Sequence, residues 1–151
     1  MKAAALVTWI ATAVLGFSML TVWLGRGGLR RSGASGRRLT PQLLSDHIIP
    51  AVIALVLWIV FLVNGDVDLA WIAFGMVIVV GVVGFTNFIL WQRRRQGVLR
   101  ATRSRWNVAS DQVGREHLPP EQHFPVANVV LHGVLAVSTV VLVFLAALNA
   151  S

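Results

Sequence analysis

Long apolar stretches separated by short polar ones dominate the chain. Ala3 to Leu24 and Leu69 to Trp91 contain no charged residue, and Phe124 to Leu148 is interrupted by Asn128 and His132. Ile48 to Val63 is shorter, but Thr40-Pro41 before it reads as an N-cap followed by a first-turn proline, which carries that helix back through His47. A bilayer core is crossed by about 20 apolar residues in a helix. The pattern therefore predicts an all-α fold, a four-transmembrane-helix up-down bundle forming one polytopic membrane domain over residues 1–151. The expected helices are 3–24, 41–63, 69–91 and 124–148. The first run is longer than the apolar region of a signal peptide and ends in Gly25-Arg26 without a small-residue cleavage site, so it is expected to be retained.

The arginines orient the bundle. The connection 25–40 carries Arg26, Arg30, Arg31, Arg37 and Arg38, and the connection 92–123 carries Arg93, Arg94, Arg95, Arg100, Arg103, Arg105 and Arg115. Basic loops stay cytoplasmic, so both connections are expected inside and both termini non-cytoplasmic, in a bacterial plasma membrane. The connection from Asn64 to Asp68 is short and acidic, as in a tight antiparallel hairpin turning outside. Trp9, Trp23, Trp58, Trp71 and Trp91 sit mostly toward segment ends, where an interfacial aromatic belt would lie. The arginine-rich start of the third connection reads as an amphipathic stretch on anionic headgroups through Val98, Leu99 and Trp106, and residues 111–122 read as a loop.

Composition narrows the function classes. The 151 residues are 56% apolar and 13% charged, with a net charge of +7 and a mean hydropathy of +0.74. That is no soluble domain. The absence of cysteine excludes thiolate metal sites, Fe–S clusters and covalent haem attachment. No phosphate-cradling glycine loop, paired membrane carboxylate or zinc-helix signature is present, which gives no support to a hydrolase, a kinase or a nucleotide-binding enzyme. Gly25 to Gly28 reads as a flexible linker. The basic runs are the ordinary topology signal of membrane helices, so no nucleic-acid partner is expected.

Polar side chains inside membrane helices are the default functional candidates. His47 stands six residues past Pro41 and His132 seven past Pro125, both roughly 9–11 Å inside helices that start on the arginine side. Counting back from the same side on the other helices reaches Gly16 and Gly84 at a matching depth of roughly 10–12 Å. Helices two and four are diagonal partners in an up-down bundle. Two inward imidazoles can take the two axial positions of a haem iron, and Gly16 and Gly84 leave room for the macrocycle. The other readings of the same residues are a hydrogen bond from each histidine to a neighbouring helix, or His47 reaching to the headgroups beside Asp46. Gly75, Gly81 and Gly84 also read as one helix-packing seam. His123 and His117 are expected as solvated loop residues.

The layout of His47, His132, Gly16 and Gly84 resembles the diagonal bis-histidine sites of membrane b-type cytochromes. Two stretches, Asp46-His-Ile-Ile-Pro50 running on to Trp58 and His123-Phe-Pro-Val-Ala-Asn-Val-Val-Leu-His-Gly133, look like uncharacterised small four-helix integral membrane proteins of actinobacterial type. The first resemblance implies a non-covalent haem b and a role in electron transfer or redox sensing, with a quinone or a redox protein as electron partner. The second implies a fold and a membrane location. The competing expectation is a non-catalytic accessory or assembly subunit of a larger membrane complex or a homo-oligomer, docking through Gly75 and outward helix faces. A pore or small-molecule carrier is disfavoured, because Ser138 and Thr139 are the only polar residues deep in helix four.

Overall fold

A computed structural model describes residues 1–29, 40–105 and 120–150, and for residues 98 and 101–105 it describes the backbone alone. The fold is all-α: helix α1 spans Lys2–Gly25, α2 Pro41–Asn64, α3 Val67–Arg105 and α4 Val126–Leu148. A 3-10 turn, Pro120–His123, precedes α4. All four helices are long and apolar enough to cross a membrane, and the chain is a multi-pass membrane protein. Arg30, Arg31, Arg37, Arg38, Arg115, Trp106 and His117 lie outside the described residues.

Local chemistry sets the helix ends. The Thr40 hydroxyl accepts the Leu43 N–H at 3.2 Å, with Pro41 in the first turn of α2. At the other end of α2, Gly65 takes φ 73° and its N–H closes on the Phe61 carbonyl at 2.8 Å. Asp66 then accepts the Asp68 N–H at 3.0 Å and starts α3, so the hairpin turns on Gly65-Asp66 alone. Gly27, at φ 77°, ends α1, and Gly28 lies against the Trp23 indole with no room for a Cβ. This glycine run is an ordered helix stop there, where the sequence reads as a linker.

The helices pack in a ring, α1 along α4 and α2 along α3, with α3 against α4 and a slighter contact between α1 and α2; α2 and α4 stand diagonally, as do α1 and α3. The end where α2 turns into α3 is the hairpin end, and the opposite one is the arginine end. The apolar core fills the hairpin half: Ala5, Trp9, Ala54, Trp58, Phe61, Ala70, Ala73, Val77, Val143, Ala146 and Ala147 are buried together. Trp9, Trp58 and Phe61 form its aromatic centre, with ring centroids 6.5 Å apart between Trp9 and Trp58 and 5.0 Å between Trp58 and Phe61. At the arginine end Trp23 and Trp91 are buried as well. Four of the five tryptophans expected in an interfacial belt thus pack inward, and Trp71 alone is exposed. A large ring near a helix end fills a gap between helices as readily as it meets headgroups.

Helix α3 outruns its expected end at Trp91 and continues to Arg105. Gln92 to Arg105 is rich in arginine and glutamine, good helix formers that keep their backbone bonds on leaving the membrane. The seam expected along Gly75, Gly81 and Gly84 does not form as one. Gly75 and Gly81 are exposed with nothing within 4 Å of an added Cβ, and only Gly84 is closely approached.

Candidate cofactor site

His47 and His132 meet in the bundle interior. Their ring centroids are 6.3 Å apart, with the planes at 62°. Each imidazole is fixed by the neighbouring helix it packs on: His47 Nδ1 lies 3.1 Å from the Val80 carbonyl of α3, and His132 Nδ1 lies 2.9 Å from the Thr12 carbonyl of α1. A carbonyl only accepts, so Nδ1 donates in both rings and each neutral imidazole keeps its lone pair on Nε2. Among the described residues no hydrogen-bond partner reaches either Nε2.

The glycines make this docking possible. A Cβ on Gly84 would stand 2.8 Å from His47 Cε1, and one on Gly16 would stand 3.1 Å from His132 Cε1. Each ring edge therefore rests on bare helix backbone, one turn beyond the carbonyl its Nδ1 reaches. The four residues inferred to share a layer do share it, as two histidine–glycine pairs, His47 with Gly84 and His132 with Gly16. His47 does not reach for the headgroups. Asp46 next to it is exposed and accepts a hydrogen bond from Gln42 at 2.7 Å.

The two pairs are related by an internal two-fold relation that the sequence does not display as a repeat. Thr12, Gly16 and Trp23 on α1 correspond to Val80, Gly84 and Trp91 on α3 at one constant spacing along the chain. His47, Ala54 and Trp58 on α2 correspond in the same way to His132, Thr139 and Val143 on α4. Gly16 and Gly84, Trp23 and Trp91, and His47 and His132 match in type, while Thr12 and Val80, Ala54 and Thr139, and Trp58 and Val143 differ.

Two turns toward the hairpin end from the histidine layer, Trp9, Ala54, Val77 and Thr139 are all buried. Two turns toward the arginine end, Trp23 and Trp91 are buried. Between them the packing is open: no described residue in 10–22, 41–53, 78–90 or 126–138 is fully buried, including those facing inward. Asn128 ties α4 to α1 through Ser18 Oγ at 3.3 Å.

The 3-10 turn closes the arginine end. Glu121 is 1% exposed and forms an ion pair with Arg94, while the Trp91 indole N–H donates to the Glu121 carbonyl at 3.0 Å. His123, expected in solvent, is half-buried with its Nδ1 enclosed. Sequence reading missed Glu121 as a structural residue, because one glutamate in a basic connection carries no periodic signal. Among the described residues no group of three or more His, Asp or Glu gathers as a metal cluster. Protein-family models, curated proteins and solved structures yield no match to this chain.

Proposed function

We propose that this membrane protein binds one b-type haem between His47 and His132 and serves electron transfer or redox sensing in a bacterial plasma membrane, its arginine end toward the cytoplasm. The observation that carries the reading is the pairing of the imidazoles. Each donates Nδ1–H to a backbone carbonyl, the partner that metal-bound histidines generally have, and each keeps an unused Nε2 lone pair. A hydrogen bond between helices accounts for the Nδ1 atoms and leaves Nε2 without a role. Metal–nitrogen bonds of about 2 Å and a ring radius of about 1 Å put two imidazoles on one metal with centroids about 6 Å apart; the observed spacing is 6.3 Å.

The donor set favours haem over a bare ion. Two imidazoles leave a zinc ion short of the four ligands it takes, whereas a porphyrin brings four nitrogens of its own. The macrocycle would lie between α1 and α3, whose residues at this level are not fully buried. With both axial positions filled, such a haem supplies one-electron transfer and offers no site for oxygen. A quinone or a redox protein is the electron partner this chemistry requires.

Reduced protein purified in mild detergent from a haem-replete host should show sharp low-spin α and β bands, and His47→Ala and His132→Ala should each abolish them. Colourless protein, or unchanged spectra in both variants, would overturn the reading. Cysteines introduced at Ser35 and Ser151 should be labelled from opposite sides of the membrane by an impermeant thiol reagent. A second reading, an accessory or assembly subunit, draws on Gly75 and Gly81, bare on the outer surface of α3 where another helix can approach closely. A stoichiometric partner co-purifying with a colourless chain would favour it.

A further inference from the structure

Buried polar atoms without a partner are costly, and here they are concentrated. Among the described residues, all of them except the Trp58 indole nitrogen lie in the arginine half: Asn87 Oδ1, Arg94 Nη2, Glu121 Oε2, Gln122 Nε2 and His123 Nδ1. Asn87, Trp91 and Arg94 follow Gly84 on one stripe of α3, at helical spacings that place them above the histidine layer. Helical side chains lean toward the helix N-terminus, so Arg94 leans back toward that layer. The 3-10 turn brings Glu121, Gln122 and His123 against the same end, fixed by the Arg94 ion pair and the Trp91 indole.

The unused groups are chiefly donors. Arg94 engages Glu121 through Nη1 alone, which leaves Nη2 free; Gln122 offers its amide N–H, and His123 offers Nδ1 in the tautomer that carries its proton there. Two acceptors stand among them, Asn87 Oδ1 and Glu121 Oε2, and the charge of Glu121 is balanced by Arg94. Arg93, Arg95 and Arg26 add positive charge at this end of the bundle. Enclosed nitrogen donors in a basic setting suit an anionic oxygen.

We infer that Arg94, Gln122 and His123 form a carboxylate site that receives the propionate groups of the macrocycle held by His47 and His132. This assignment rests on the haem reading and deepens it. The site is built on the bundle cap, so the 3-10 turn is a binding element: Glu121 anchors it to α3 through one Arg94 nitrogen and leaves the other without a partner. The carboxylates would face the arginine end, and the hairpin half would meet only the apolar edge of the macrocycle.

The test compares two probes on ligand-free protein in detergent, haemin and its dimethyl ester, by absorbance titration. Wild-type protein should bind haemin about tenfold or more tightly than the ester, as charge-assisted hydrogen bonds to carboxylate imply. Arg94→Gln leaves Glu121 buried without its partner, so the neutral pair Arg94→Gln/Glu121→Gln is measured beside it. That pair, and separately Gln122→Leu/His123→Phe, should bring the ratio toward one while the ester complex keeps its low-spin bands. Equal binding of both probes by wild-type protein, or an unchanged preference in both sets of variants, would overturn the carboxylate site and leave the bis-histidine site standing. Binding of neither probe would overturn the haem reading, and the carboxylate site with it.

Discussion

The hairpin half and the arginine half of this bundle are made of the same four helices, yet they are packed in opposite ways. Toward the hairpin, small residues such as Ala5, Ala54, Ala73 and Ala146 let the helices close around Trp9, Trp58 and Phe61, and burial is complete. Toward the arginines the inward positions hold histidine, glycine, threonine and asparagine, none fully buried until the ring of Trp23 and Trp91. In lipid the apolar effect gives no net drive for helix association, so close packing and interhelical hydrogen bonds decide where a bundle is rigid. Here the close packing lies in one half. The other half holds its polar groups through a few interhelical hydrogen bonds, His47 to Val80, His132 to Thr12 and Asn128 to Ser18. The lesson is a division along the helix axis, with the packed framework at one end and the polar groups at the other.

That division can be broken most severely at its aromatic centre. Trp58→Ala should cost about 3 kcal/mol or more in unfolding of the ligand-free protein in detergent, the range for emptying a large core site; a loss below about 1 kcal/mol would mean that the hairpin half is not the framework. Next comes Gly84→Ala. Its Cβ meets the His47 ring at 2.8 Å, so the imidazole must leave the Val80 carbonyl, at a cost of roughly 1–3 kcal/mol. Gly16→Ala, with 3.1 Å to the His132 ring, should cost less, and reversal of that order would contradict the geometry of the two pairs. Thr40→Ala removes the cap of α2 at the arginine end and should lower stability by about 1 kcal/mol, readable in the same unfolding experiment. The smallest effect is expected at Gly75→Ala and Gly81→Ala, which meet open space and should change stability by no more than about 0.5 kcal/mol in either direction.

The layered arrangement was legible in the sequence because depth along a helix is a matter of counting. Thr40-Pro41 and Pro125 mark where two helices begin, and a fixed rise per residue brings His47 and His132 to one level with Gly16 and Gly84. The direction a side chain faces is harder to count. The tryptophans look the same in sequence whether they meet headgroups or fill the bundle, and the choice depends on the partner across the gap: Trp9 faces Trp58, a contact between residues far apart in the chain. Gly75 and Gly81 match a packing motif yet face outward, because a glycine carries no mark of which side its neighbour is on. Glu121 was invisible for a different reason. Its burial depends on Arg94 from another helix and on a turn too short to leave a periodic trace.

The pairing of helices also orders the making of the protein. His47 reaches across 33 residues to Val80, within a hairpin whose two helices leave the ribosome in succession. His132 reaches across 120 residues to Thr12, so α1 waits for α4, made after α2 and α3, before its own histidine partner arrives. Loop closure over the longer separation is the later and slower event. Without α4, α1 has among the α-helices only its slight contact with α2, while His47 is already within reach of α3. The docking of α4 is therefore the step that brings the second imidazole to the first.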